Sequence, residues 1–400
     1  MSSRPRPPRR FLVPQNPGGA APPVAIYHVV TRVVDRQFVF GPEEKEHLRR
    51  LLRMYERFSG CHILSYCLMS NHLHVLLEVP PGCRKGESLG LTDEELLHRL
   101  GGLYSRKQTR LVEREIEEAR GLIDGRTPEG QQVPEHETAR RAKMKKEGED
   151  WLHEIHARYC YRMHSLSEFF KGMLQRFTCW FNRQRERTGT LWESRFRSVV
   201  IQDGLAARTV TAYIDLNPVR AGLVEDPADY RWSSYGEAVG GGRGASLARR
   251  GLVRALSLFD AKKGKATARA WAQGGVGKDY RHLLIAAAQE KRAEKKAGEK
   301  EGKTPPKRGR PRTSATDREQ ARLQEEKARD LKIAKAICVR VRYFSAGAVI
   351  GSRAFVDAFF HRARGHFSAK RQDGARRPRG ALSALKDDLW SLRDLKEKSN

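Results

Sequence analysis

The sequence predicts an α+β fold with a ferredoxin-like β-α-β-β-α-β core, and three observations carry this prediction. Short runs rich in β-branched and aromatic residues suit strands, apolar residues recur at helical spacing between them, and a short polar turn joins two of the strands. The same patterns predict an additional helix after the core, a helical insertion within it and a basic C-terminal extension.

The first half of the core is predicted from four segments. Residues 25–33 (AIYHVVTRV) suit a strand, and residues 41–60 place Leu and Tyr at helical spacing. Two apolar runs at 61–70 and 72–80 flank a turn and predict a hairpin. The order so far is strand, helix, strand, strand.

The second half follows a charged stretch at about 82–160, which predicts the helical insertion. Residues 165–187 then form an amphipathic pattern, for which Ser167 is the expected N-cap, and residues 195–203 suit a short strand. These two segments complete the predicted core.

The remaining segments differ from the core domain, predicted at 24–238, by their composition. They are predicted as a flexible basic arm (1–23), a connecting helical region (239–286), a basic low-complexity linker (287–335) and a small accessory domain (336–400). Within the linker, PKRGRPR (306–312) resembles an AT-hook for the minor groove, although basic linkers produce such strings by composition alone.

The charge balance indicates a polyanionic partner. Lys and Arg number 77 against 48 Asp and Glu, a formal net charge of +29. Nucleic acid is the leading partner class, because Arg and Lys interleave with apolar positions through the predicted core as well as in the tails. No apolar signal region or membrane-length run is present, so we expect a cytoplasmic, nucleoid-associated protein without a membrane partner.

The cysteines exclude two kinds of site. No C-x-x-C pair occurs, so neither a zinc ribbon nor a thioredoxin-like site is indicated. We expect reduced, buried thiols at all six positions, which are Cys61, Cys67, Cys83, Cys160, Cys179 and Cys338.

Two histidines stand at alternate positions of the strand predicted at 72–80. Alternate side chains of a strand share a face, so His72 and His74 are presented side by side while Leu73 and Val75 point to the other face. Neutral imidazoles suit a divalent cation. The pair alone is also compatible with two half-buried histidines bonded to backbone carbonyls.

The last predicted helix, from Gly204 to Asn217, ends before Pro218 and carries a second pair of polar residues. Tyr213 and Asn217 are four residues apart and so project from one face of this helix. Taken singly, Tyr213 could be a core aromatic and Asn217 a residue that ends the helix.

Three blocks of sequence resemble a known family. YCLMSNHLHVLLE (66–78), GTLWESRFRSVVI (189–201) and YIDLNPVRAGLV (213–224) are similar, in that order, to the REP-associated tyrosine transposases and the wider insertion-sequence transposases with one catalytic tyrosine. The resemblance covers 24–238 apart from the insertion, about half of the chain.

The resemblance implies a site and a reaction. In this HUH family two histidines and a polar residue one turn after the tyrosine bind Mg²⁺ or Mn²⁺, which implies His72, His74 and Asn217 as ligands and Tyr213 as nucleophile. Many relatives have Gln where Asn217 stands. The implied activity is nicking of single-stranded DNA beside a hairpin through a 5′-phosphotyrosine, followed by rejoining; the chain could act as a monomer or a homodimer.

The segment 165–197 interleaves aromatic and basic residues. Most of the aromatics are expected in the core, so only the basic side chains are predicted to contact DNA phosphates. These are Lys171, Arg176, Arg183, Arg195 and Arg197.

Two other functions remain open. A protein descended from such enzymes could bind repeats without cutting them, although the set of Tyr, His and Asn residues argues against this. An RNA-binding module on the same fold would present aromatics on its central strands, whereas the strand at 72–80 offers histidines and aliphatics.

Overall fold

One mixed sheet organises the chain. In a computed structural model the described residues are 24–242, 244–257, 268–273, 275–298, 344, 347–367, 371–377 and 389–393. They form an α+β fold, as predicted, in which helices pack on both faces of a six-stranded sheet. The predicted arm, the AT-hook-like string and Cys338 lie outside the described residues.

The sheet has the strand order β2-β3-β1-β4-β5-β6. Neighbours are antiparallel except β4 and β5, which are parallel. The strands are β1 (Ala25–Arg32), β2 (His62–Leu68), β3 (His72–Val79), β4 (Arg197–Ile201), β5 (Gly347–Gly351) and β6 (Trp390–Arg393).

The helices account for most of the remaining described chain. They are α1 (Pro42–Ser59), α2 (Asp93–Leu100), α3 (Arg106–Ile123), α4 (Thr138–Cys160), α5 (Leu166–Gln184), α6 (Leu205–Asp215), α7 (Asn217–Arg220), α8 (Ser234–Gly240), α9 (Ala245–Ser257), α10 (Ala268–Gln273), α11 (Val276–Gly298) and α12 (Arg353–Arg362). Helices α2, α3 and α4 occupy the stretch between β3 and α5 that was predicted as an insertion. None of the described helices is long and apolar enough to span a membrane.

Strand alternation divides the core into two clusters. On β3, Leu73, Val75 and Leu77 pack with residues of α1 and α5, whereas Leu76 packs with residues of α6 and α9 on the opposite face. His74 has the same parity as Leu76, so its side chain lies on the α6 face. The period of two in the sequence therefore positions the histidines opposite the larger aromatic cluster.

Two helix ends differ from the sequence predictions. The N-cap of α5 is Ser165, whose hydroxyl accepts from the Glu168 amide, and not Ser167, which lies inside the helix. Helix α6 ends at Asp215, and Pro218 lies in the first turn of α7. Proline is tolerated there because the first amides of a helix have no intrahelical acceptor.

Strands β5 and β6 lie in the segment predicted as an accessory domain. They belong to the same sheet as the core, since Val349 and Ile350 pair with Val200 and Ile201 of β4. The C-terminal part of the chain therefore extends the sheet that carries the histidines.

The cysteines are only partly as expected. Cys61, Cys67 and Cys160 are buried free thiols, in agreement with the prediction. The prediction of a buried thiol is wrong for Cys83, which is half-buried, and for Cys179, which is exposed. Cys179 lies on the solvent side of the amphipathic helix α5.

Candidate active site

The two predicted histidines lie on the sheet face that helix α6 covers. Their ring centroids are 5.1 Å apart, and His74 is 4% exposed whereas His72 is half-buried. The antiparallel register places Arg32 of β1 opposite His72 and Val30 opposite His74. A basic side chain therefore stands directly beside the outer histidine.

Tyr213 reaches this face from α6. Its ring centroid is 5.9 Å from that of His74, in an edge-on arrangement, and the residue is 6% exposed. The structure thus brings Tyr213 and His74 together from segments 139 positions apart in the sequence. His72, His74 and Tyr213 form one cluster, as the alternation on β3 and the position of the last helix predicted.

A third histidine, His28, belongs to the same cluster and was not identified from the sequence. Its Nδ1 lies 2.7 Å from the carbonyl oxygen of Phe344, and its Nε2 lies 3.0 Å from Nδ1 of His74. A carbonyl only accepts, so Nδ1–H of His28 donates to it, and the neutral ring then accepts at Nε2 from His74. This leaves the lone pair of His74 on Nε2.

Asn71 orients His72 in a comparable way. The Asn71 amide Nδ2 donates to the carbonyl oxygen of Arg36 at 2.7 Å, which directs its Oδ1 toward His72. Nδ1 of His72 lies 2.7 Å from that Oδ1 and donates to it. The lone pair of His72 is therefore also on Nε2, so both predicted ligands have one nitrogen held and the other available.

All three imidazoles are neutral at pH 7. Burial lowers the pKa of His28 to about 4, and the guanidinium of Arg220 acts in the same direction. Burial and the charges of Arg32 and Arg220 lower the pKa of His72 to about 4. Burial and the neighbouring imidazoles hold the pKa of His74 well below its usual value. Neutral rings are the form that binds metal ions.

Asn217 fits the role of third ligand less well than the histidines fit theirs. Its Nδ2 donates to the carbonyl oxygens of Tyr213 and Ile214, and its Oδ1 accepts from Nη2 of Arg220. Within the described residues no three His, Cys, Asp or Glu side chains are arranged to hold a metal. The two imidazoles suit a divalent cation, whereas the oxygen of Asn217 already accepts a hydrogen bond from the positively charged Arg220.

Arg220 and Phe344 enclose the tyrosine ring. The guanidinium carbon of Arg220 lies 3.9 Å from the Tyr213 ring centroid, within cation–π range. The Phe344 ring centroid lies 4.7 Å from it on the C-terminal segment, 131 positions further along the chain. Neither neighbour was anticipated from the sequence.

Glu78 lies on the same face of β3 as the two histidines. It is buried, and its two oxygens accept from the guanidinium of Arg254 on α9. The ion pair ties β3 to α9 at the end of the strand that is remote from His72.

The predicted DNA-contacting residues fall into two groups. Lys171, Arg176 and Arg183 lie on α5, which packs on the face opposite the histidines, and Arg176 donates to the Leu103 carbonyl oxygen at 3.2 Å. Arg197 is exposed and pairs with Val30, so it lies on the histidine face. The remaining residue of the set, Arg195, is also exposed and precedes β4.

Comparisons with known proteins give two matches. Residues 23–87, which hold β1 to β3 and all three histidines of the cluster, match the family described as "Transposase IS200 like"; Tyr213 lies outside the matched segment. Among solved structures, the chain is similar to the "Structure of the REP associates tyrosine transposase bound to a REP hairpin" at 13% identity and a TM-score of 0.31, covering 55% of this chain and 81% of that one. A search of curated proteins gives no match.

Proposed function

From the match of residues 23–87 to the IS200-like transposase family, we propose that the chain is a metal-dependent single-stranded DNA endonuclease and strand transferase. It would nick DNA next to a hairpin-forming repeat and rejoin the ends. The observation that supports this most directly is the edge-on placement of Tyr213 against His74, whose neutral ring has its lone pair on Nε2.

The proposal includes the fold of the catalytic core. In the order β2-β3-β1-β4 each strand is antiparallel to its neighbour, and the chain places α1 between β1 and β2 and α5 between β3 and β4. This is the order expected of a ferredoxin-like β-α-β-β-α-β core. Helix α6 would be the additional helix that carries the nucleophile across the histidine face.

Tyr213 would be the nucleophile. Its phenolic oxygen loses a proton to water and attacks the phosphorus, which forms a 5′-phosphotyrosine while the 3′ oxygen leaves and takes up a proton. Attack by the 3′-hydroxyl of another DNA end reverses these bond changes. Because one phosphodiester is exchanged for another at each step, joining requires no ATP.

His72 and His74 would hold a divalent cation, Mg²⁺ or Mn²⁺, through their Nε2 atoms. When bound, such an ion polarises the phosphate and stabilises the charge that gathers on its oxygens. Asn217 would be the third ligand once Arg220 releases its oxygen. The guanidinium of Arg220 stands beside Tyr213, and its planar geometry suits contact with a DNA phosphate.

The alternative is a protein that binds repeat DNA without cutting it. One observation favours it: Arg220 occupies the oxygen of Asn217, and Arg220 and Phe344 both cover the Tyr213 ring. The two functions share a DNA partner and differ in the covalent step.

An assay for a covalent adduct separates the two functions. The full chain is incubated with end-labelled single-stranded DNA that carries a hairpin, with Mn²⁺ or with EDTA, and run on a denaturing gel. We expect a protein-linked strand with Mn²⁺ and none with EDTA. Retarded migration on a native gel without any adduct on the denaturing gel would support the binding-only protein.

Replacing His28 should weaken metal binding without affecting DNA binding in EDTA. His28→Ala removes the acceptor that holds Nδ1–H of His74, so the His74 ring can adopt the other tautomer, and Mn²⁺ affinity should fall by about 10- to 100-fold. Isothermal titration with Mn²⁺ measures this loss. His98→Ala, on the exposed side of α2, is the matched control; equal Mn²⁺ affinity in the two variants would refute the role of His28.

A further inference from the structure

The loop between β1 and α1 carries the most exposed aromatic side chain of the described residues. Phe38 is 82% exposed, whereas the other exposed large hydrophobic side chains in the described part of the chain are 44% to 50% exposed. A ring held in this way has its aromatic face open to solvent, which makes it available for contact with a partner.

The loop is fixed on both sides of Phe38 to the turn that leads into β3. Before Phe38, the carbonyl oxygen of Arg36 accepts from the Asn71 side chain; after it, the Phe40 amide donates to the Ser70 carbonyl oxygen at 2.9 Å. Phe38 is two residues from each anchor, a span of at most about 7 Å between Cα atoms. Because Asn71 also holds His72, the loop that carries Phe38 is connected to the outer histidine through this one side chain.

The surroundings of Phe38 are basic. Arg36 lies on the same loop, and Arg32 stands opposite His72 in the sheet. The Glu193 amide donates to the Arg32 carbonyl oxygen at 2.9 Å, which places the segment leading to Arg195 and Arg197 beside β1. The acidic side chains on these segments are those of Asp35 and Glu193, so the segments carry four arginines and two carboxylates. This balance suits a phosphate backbone.

The loop bend is held by its backbone. Asp35 and Arg36 are consecutive non-glycine residues in the left-handed region, with φ of 55° and 57°. The Val33 amide donates to the Asn71 carbonyl oxygen and the Val34 amide to that of Leu191, and these bonds hold the bend in place. The Phe38 side chain is therefore presented to solvent by a supported loop.

The geometry points to Phe38 as the stacking surface for an unpaired base of a DNA strand whose backbone lies over the histidine face, an inference that rests on the function proposed above. Aromatic rings stack on any base, because every base has a π face, so this contact would position the strand without selecting its sequence. The arginines around Phe38 would bind the adjacent phosphates.

The test compares two DNA probes. Both are fluorescein-labelled hairpins with single-stranded tails; one carries thymidine tails and the other has abasic tails with the same phosphates. Kd is measured by anisotropy in EDTA, so that no metal is required. We expect Phe38→Ala to bind the thymidine-tailed hairpin about 10-fold more weakly than wild type and the abasic-tailed hairpin equally well. Phe38→Trp should restore the affinity.

Leu111→Ala removes a partly exposed side chain from α3 of the insertion and should bind both probes as wild type does. If wild type binds neither probe, the proposed function itself fails. If wild type binds the thymidine-tailed hairpin and Phe38→Ala binds it equally, only the stacking inference is overturned. A loss of self-association in sedimentation, with unchanged DNA affinity, would assign Phe38 to a protein contact and also overturn it.

Discussion

Replacing Tyr213 with phenylalanine should reduce formation of a covalent protein–DNA adduct by at least about 1000-fold. The substitution removes only the hydroxyl. The aromatic ring keeps its contacts with His74, Arg220 and Phe344, so the fold and DNA binding in EDTA should be unchanged. Denaturing gels with Mn²⁺ measure the adduct, and anisotropy measures binding.

Tyr280→Phe is the matched control for this prediction. Tyr280 is buried in the same core cluster, but its hydroxyl donates to Asp215 at 2.7 Å and takes no part in the proposed chemistry. The variant should lose about 1 kcal/mol of stability and retain adduct formation. An unchanged yield of adduct from Tyr213→Phe would refute Tyr213 as the nucleophile.

Replacing His74 with alanine should have the second largest effect. The substitution removes the inner imidazole of the cluster and leaves Nε2 of His28 without its donor, so we expect at least about 100-fold slower cleavage and loss of Mn²⁺ binding. Isothermal titration measures Mn²⁺ binding, and the rate of strand cleavage is measured separately.

Because the imidazole of His74 is buried, His74→Ala should also lower the free energy of unfolding by about 1–3 kcal/mol. Part of the lost cleavage activity would then reflect lower stability. His72→Ala provides the check, because His72 is half-buried and its removal should lower Mn²⁺ affinity with little change in the free energy of unfolding. Cleavage at the wild-type rate by both variants would exclude the proposed metal site.

The positions of His72, His74 and Tyr213 were predictable because each depends on a local periodicity. Alternation along β3 places both histidines on one face, and the apolar residues between them identify the other face as core. Helix α6 had to pack on one of the two sheet faces, and periodicity alone did not tell which one. The resemblance of three motifs then indicated that this face holds the histidines.

His28 was not predictable in the same way. It lies in a strand rich in apolar residues, AIYHVVTR, and nothing in that run distinguishes it from a buried core histidine. Its role depends on the register that places Val30 opposite His74 and on a carbonyl of Phe344, which is 316 positions away in the sequence. Strand register and long-range contacts of this kind leave no pattern in the local sequence from which they could be predicted.

The assignment of basic residues to the DNA shows a similar limit. An amphipathic pattern tells which side of α5 is apolar but not which face of the sheet the helix covers. Helix α5 packs on the sheet face opposite to the histidines, so Lys171, Arg176 and Arg183 lie on a helix across the sheet from α6. Arg32 was not identified because it lies at the end of an apolar strand. The pairing of β5 with β4 could not be predicted for another reason: the two strands are far apart in the sequence, and pairing over such a distance leaves no local pattern.

The most direct test of the proposed function identifies the residue that is covalently bonded to the DNA. The adduct formed with Mn²⁺ is digested with nuclease and trypsin, and the peptides are analysed by tandem mass spectrometry. We expect a nucleotide phosphate on Tyr213 in the peptide that runs from Thr209 to Arg220. An adduct attached to any other residue, with that peptide unmodified, would contradict it.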